Sequence, residues 1–137
     1  MKKLFTLILT IVMVMGAVSA FAADIKVLVN GEEMVFDREP VIEDGTVLVP
    51  YRFVAEKLGA KVSWHQDTKS VFTEYNGKII TTQIGNELMF VNDSVFSIEK
   101  APVLSTDRTL VPLEVFKNAM EANVSWDETT STVTIEK

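Results

Sequence analysis

The chain has no cysteine and a single histidine, His65. Disulfides, thiolate nucleophiles and cysteine-ligated metals are therefore excluded, as is lipid anchoring on an N-terminal cysteine. Positive charge is also scarce, with 13 Lys and Arg against 19 Asp and Glu and a formal net charge of −6. The clustered cations that a nucleic-acid surface requires are missing. Acidic groups could hold divalent cations loosely, but no D-x-[DN]-x-[DN]-G loop defines a calcium site. Phosphate loops, G-x-S-x-G and H-E-x-x-H are absent as well. These gaps remove most routes to catalysis.

The one long apolar run stands at the start. Lys2 and Lys3 precede an almost wholly apolar stretch from Leu4 to Val18, and Ala20 and Ala22 flank Phe21. A positive start, an apolar middle and a small-residue exit read as an export signal over residues 1–22, cleaved after Ala20 or Ala22. The run of about 15 residues is short of the ~20 that cross a bilayer, so a retained anchor is the weaker reading. No integral span is expected after cleavage. Losing Lys2 and Lys3 leaves eleven basic and nineteen acidic side chains, a formal charge of −8. The expected location is extracellular or cell-wall associated.

What remains is written twice. A shift of 62 positions aligns residues 28–73 with 90–135 without a gap. Pro40-Val41-Ile42 meets Pro102-Val103-Leu104, and Leu48-Val49-Pro50 meets Leu110-Val111-Pro112. Ala60, Val62, Ser63 and Trp64 meet Ala122, Val124, Ser125 and Trp126. The expected organisation is a signal at 1–22, a first repeat at 23–85 and a shorter, diverged second repeat at 86–137. Without disulfides such small units would be marginal alone, so a shared sheet or core is expected.

Each repeat reads as hairpin, helix, hairpin. Asn30-Gly31 joins Ile25–Val29 to Glu32–Phe36, because both turn residues tolerate positive φ. Pro50 suits a first helical position, and Tyr51, Val54, Ala55 and Leu58 then share one apolar face before Gly59 stops the helix. Leu113, Phe116 and Met120 make the matching face after Pro112, but Glu121 stands where Gly59 does. Val62 shares a strand face with Trp64, and Val124 with Trp126. Asn76-Gly77 and Gly85-Asn86 continue the meander through Lys78–Ile84 into the second repeat. The last strand of that repeat is left as an edge unless Ile25–Val29 covers it. The fold expected is α+β: duplicated ββαββ units, with an antiparallel sheet meander wrapped around one short helix per repeat.

The frame VNGEEMVF followed by DGTVLVPYRFVAEKLGAKVSW resembles the copper amine oxidase-like N-terminal domain, also called the stalk domain. The resemblance spans Ile25 to Lys137 as two tandem copies. The first keeps Leu48-Val49-Pro50, Arg52-Phe53-Val54-Ala55-Glu56, Leu58-Gly59-Ala60, Val62 and Trp64. The second keeps Leu110-Val111-Pro112, Ala122, Val124 and Trp126, with Glu114 and Glu121 replacing an arginine and a glycine. The resemblance implies a non-catalytic module of secreted and cell-wall proteins in Gram-positive bacteria, remote from any copper centre. A copper oxidase site needs several imidazoles and an oxidisable tyrosine, so His65 alone excludes that activity. No cofactor or metal is expected.

The structural signature is Pro50, Gly59, Trp64, Pro112 and Trp126. Either tryptophan could stack a sugar or a peptide, but recurrence with a valine on the same face favours core positions. His65 reads as a solvated turn residue rather than a base. Glu56 reads as the i, i+4 partner of Arg52 rather than of Asp67. The expected interaction surface is the other face of the sheet, at Phe72, Ile79, Thr81 and Gln83. The leading function is a secreted, non-enzymatic envelope module that binds a protein or wall polymer. A homo-oligomeric spacer built through strand edges is the alternative, and a small wall hydrolase is weaker still.

Overall fold

Asn30 and Gly31 both take left-handed backbone, φ 51° and 84°, which matches the right-handed twist of the strands they join. They turn β1 (Lys26–Val29) into β2 (Glu32–Glu33) in a computed structural model that describes residues 24–137. The export signal expected at residues 1–22 lies outside the described residues. β2 is shorter than the predicted Glu32–Phe36. Only Met34 N–H, donating to Val27 O, extends the pairing, and Val35 is 88% exposed.

The chain continues through β3 (Val41–Glu43), β4 (Thr46–Pro50), α1 (Tyr51–Lys57), β5 (Lys61–His65), β6 (Ser70–Tyr75) and β7 (Lys78–Gln83). Then follow β8 (Leu88–Val91), β9 (Ser94–Ser97), β10 (Val103–Ser105), β11 (Arg108–Pro112), α2 (Glu114–Met120), β12 (Asn123–Asp127) and β13 (Thr132–Glu136). The described residues are thus mostly β, with two short helices, an α+β composition. β3, β4 and β5 start and end 62 positions before β10, β11 and β12.

Three sheets form, ordered β12-β13-β1-β2, β10-β11-β4-β3 and β5-β6-β7-β8-β9. This differs from the single antiparallel meander expected from the sequence. The third sheet is that meander, while β1 covers the last strand, pairing in parallel with β13 from Lys26↔Thr132 to Val29↔Ile135. The reason is burial. Val27, Val29, Val133 and Ile135 are each at most 1% exposed and face one core, a match that shifting the register by one residue would destroy. β7 lies beside β6, and β1 occupies the corresponding place beside β13. β13 is therefore no edge.

The middle sheet joins the two halves. β4 and β11 run antiparallel with Val49 opposite Val111, Leu48 opposite Pro112 and Pro50 opposite Leu110. Val49 and Val111 are matched by the 62-residue shift, and the shift interchanges the other two pairs, so this register is symmetric about Val49·Val111. Side chains follow the same symmetry. Arg108 holds Asp37, and Thr46 bonds Glu99. Arg38 donates to Ser105, and Lys100 pairs with Glu43 at 3.8 Å.

Both helices turn their apolar faces into one core cluster. α1 buries Tyr51, Val54 and Ala55, and α2 buries Val115, Phe116, Ala119 and Met120. Tyr51 and Phe116, both fully buried, stack with centroids 5.5 Å apart, a contact of about 0.5–1.5 kcal/mol beyond their burial. α1 is followed by Gly59 at φ 101°, whereas Glu121 reaches the left-handed region at φ 56° without the freedom of a glycine.

Candidate functional site

The β5–β6 hairpin has two usable faces. On the outer one, pairing aligns Ser63, Phe72, Thr81, Phe90 and Val95 in one row across five strands. Phe72, Thr81 and Gln83 are half-buried and Ile79 is exposed, on the face opposite buried Val71, Ile80 and Thr82. The expected surface residues therefore share a face. His65 sits there too, edge-on to Phe72 at 4.4 Å. Sequence reasoning missed Leu88, Phe90 and Val95, which are 42%, 38% and 55% exposed. The segment Leu88-Met89-Phe90-Val91 is apolar throughout, so alternation could not tell its outer face from its inner one.

On the inner side a cleft of about 290 Å³ opens between the start of α1, the β5–β6 hairpin and the β10–β11 turn. Val62 and Val71 contribute apolar wall, and Trp64, Phe53, Gln66, Arg52, Asp107 and Arg108 also line it. Strand alternation predicts a core position for Trp64, but the residue is half-buried and its Nε1–H donates to Gln66 Oε1 at 3.0 Å. β5 is a sheet margin, so the indole packs against the core on one side only. Trp126 is half-buried at the margin of β12 in the same way. Pro50 and Pro112 are buried at the ends of β4 and β11.

Guanidinium groups dominate the cleft's polar lining. Arg52 pairs with Glu56 at 3.3 Å and donates from Nη2 to Val62 O at 2.7 Å. Arg108 grips Asp37 through Nε and Nη2, at 3.0 and 2.6 Å, and lies 5.2 Å from the Phe53 ring centroid. The Asp37–Arg108 hydrogen bond lowers the aspartate pKa and raises that of the arginine. Lys100 likewise lowers Asp44. Thr106 and Asp107 both take left-handed backbone, φ 50° and 64°, a conformation unusual for a β-branched residue. In the floor below, Tyr51 OH meets Thr73 Oγ1 at 2.8 Å, and burial pushes the phenol up to about 12 despite that bond.

Glu56 is engaged by Arg52 as expected, and Asp67 lies exposed in the β5–β6 turn. Among the described residues no group of three or more His, Asp or Glu is placed to hold a metal ion. One imidazole packed against Phe72 does not fit a copper centre. No helix among the described residues is long and apolar enough to cross a membrane.

A Brevibacillus choshinensis protein named "Protease inhibitor" is 27% identical over 126 residues, which is 90% of this chain. The chain spans 38% of that relative's length. The family model of the copper amine oxidase N-terminal domain matches residues 28–135, most of the chain, with both helices and the cleft inside its bounds. This chain belongs to the copper amine oxidase N-terminal domain family.

Proposed function

We propose that this is an exported, non-catalytic module of the cell envelope that acts by binding a protein through the outer face of its five-stranded sheet. One observation carries the reading: Phe72, Ile79, Leu88, Phe90 and Val95 present apolar surface together on that face. Clustered exposed apolar residues mark interaction sites, and a contact of this kind suits a protein better than a hydrated wall polymer. The basic, apolar and small-residue order of residues 1–22 supports export. The name of the Brevibacillus relative fits a role exercised by binding a protein, and extracellular proteases are the first partners to test. We read the chain as two tandem copies of one ββαββ unit, on the 62-residue recurrence of sequence and strand bounds.

The test is retention of purified extracellular proteases, other secreted proteins and wall polymers on the immobilised protein. Phe90→Ser with Val95→Ser should abolish saturable retention of a protein while leaving the melting temperature nearly unchanged. Retention that survives the double substitution would refute the outer-face assignment. A second reading is self-association through the sheet margins at β3, β5, β9, β10 and β12. Sedimentation over a range of concentrations decides it, because a strictly monomeric protein has no such contact.

A further inference from the structure

The cleft beside Trp64 lies on the other side of the hairpin from the apolar row, and its lining has a distinct chemistry. Two arginines and one aspartate line it, and each guanidinium is paired from behind by a carboxylate, Arg52 with Glu56 and Arg108 with Asp37. The ion pair with Glu56 and the hydrogen bonds to Val62 O and Asp37 use Nε and Nη2 of the two guanidiniums. They fix both planes, and among the described residues neither Nη1 has a partner. Trp64 is held in place by Gln66, whose amide nitrogen remains a donor.

The other half of the chain supplies an internal control. Moved by 62 positions, Pro50, Val62, Trp64 and Val71 become Pro112, Val124, Trp126 and Val133. The framework of the cleft therefore recurs. Its polar lining does not: Arg52, Phe53 and Gln66 correspond to Glu114, Val115 and Glu128, and Asp107 and Arg108 to Gly45 and Thr46. The same strands and helix form around either set, so the fold does not require the cationic one. The strained backbone at Thr106 and Asp107 adds to this, since Asp44-Gly45 makes the matching turn with a glycine.

We propose that this cleft binds a carboxylate-bearing sugar unit. The indole of Trp64 offers a flat apolar surface for the C–H face of a pyranose ring. Arg108 and Arg52 meet its carboxylate, each donating a charge-assisted N–H bond from Nη1. Gln66 and Asp107 supply a donor and an acceptor for ring hydroxyls. A volume of about 290 Å³ suits one sugar residue and lies at the small end of ligand sites. An extended peptide would need a longer groove. The proposal does not depend on the outer face, and either can fail alone.

The chain's two tryptophans give two indole N–H signals in a nitrogen–proton correlation spectrum, assigned with Trp126→Phe. Glucuronic acid and N-acetylmuramic acid are titrated against glucose, N-acetylglucosamine and alanyl-alanine. The acidic sugars should shift the Trp64 signal saturably, with a Kd of about 1 mM or tighter, and leave Trp126 unmoved. Neutral sugars should bind at least about tenfold more weakly. Arg108→Thr and Gln66→Glu import residues from the matched positions, so folded protein is expected, with binding weakened about tenfold or more. Equal binding of neutral sugars, a response to the dipeptide alone, no saturable shift, or unchanged binding in both variants would each overturn the assignment.

Discussion

Replacing Tyr51 by Phe removes one oxygen from the most buried polar contact of the core, and two effects follow. At neutral pH the variant loses the hydrogen bond to Thr73, itself 1% exposed, and leaves that hydroxyl unpaired. The cost is about 1–2 kcal/mol, a fall of roughly 0.5–1 M in urea midpoint. At high pH the order reverses. Burial raises the Tyr51 pKa from 10.0 to about 12. The folded state thus keeps its proton where the unfolded chain has released it. Stability from the neutral phenol is complete below pH 10 and declines as pH rises towards 12, by about 1.4 kcal/mol per pH unit. Wild type should therefore lose on the order of 2–3 kcal/mol over that window relative to the variant. Urea unfolding followed by tryptophan fluorescence, at pH 7 and in steps from 9.5 to 12, measures the difference directly. Other lysines and tyrosines titrate equally in both proteins and cancel. Two parallel pH profiles would show that Tyr51 is not buried against Thr73, and would refute the packing of α1 on the third sheet.

Three further outcomes are expected. Glu121→Gly should stabilise the protein by about 0.5–1 kcal/mol, because glycine takes φ 56° without the Cβ clash; thermal melting checks this. Thr82 Oγ1 is buried without a hydrogen-bond partner among the described residues, so Thr82→Val should leave stability unchanged or raise it by about 1 kcal/mol, read as a urea midpoint. Val27→Asp puts a carboxylate at a position 1% exposed between β2 and β13; a loss above about 3 kcal/mol is expected, seen as an unfolded amide spectrum at neutral pH that partly recovers in acid.

Local chemistry makes much of the fold legible in the sequence. Asn30-Gly31 and Asn76-Gly77 turn where their tolerance of positive φ requires. Pro50 precedes a helix whose buried face is Tyr51, Val54 and Ala55, and Arg52 meets Glu56 as their spacing requires. The pairing of β1 with β13 is legible only as a condition, because strand partners more than 100 positions apart leave no local trace. Splitting into three sheets is hidden for the same reason. At the site, Phe72 and Ile79 declare their face through alternation, whereas Leu88 and Phe90 sit in a segment with none. The cleft cannot be read from the sequence at all. It depends on the β10–β11 turn approaching Trp64, and that approach follows from the Val49·Val111 register rather than from any residue beside the indole.

The parallel pairing of β1 and β13 also decides how the module meets a pull. Tension entering at Lys26 and leaving at Glu136 acts on opposite ends of two strands that run the same way. The load falls along the strands, in shear, on every hydrogen bond between them at once. An antiparallel closure would instead be peeled open one bond at a time. Held on one side of this pair and pulled on the other, the module has its strongest geometry where β1 and β13 meet.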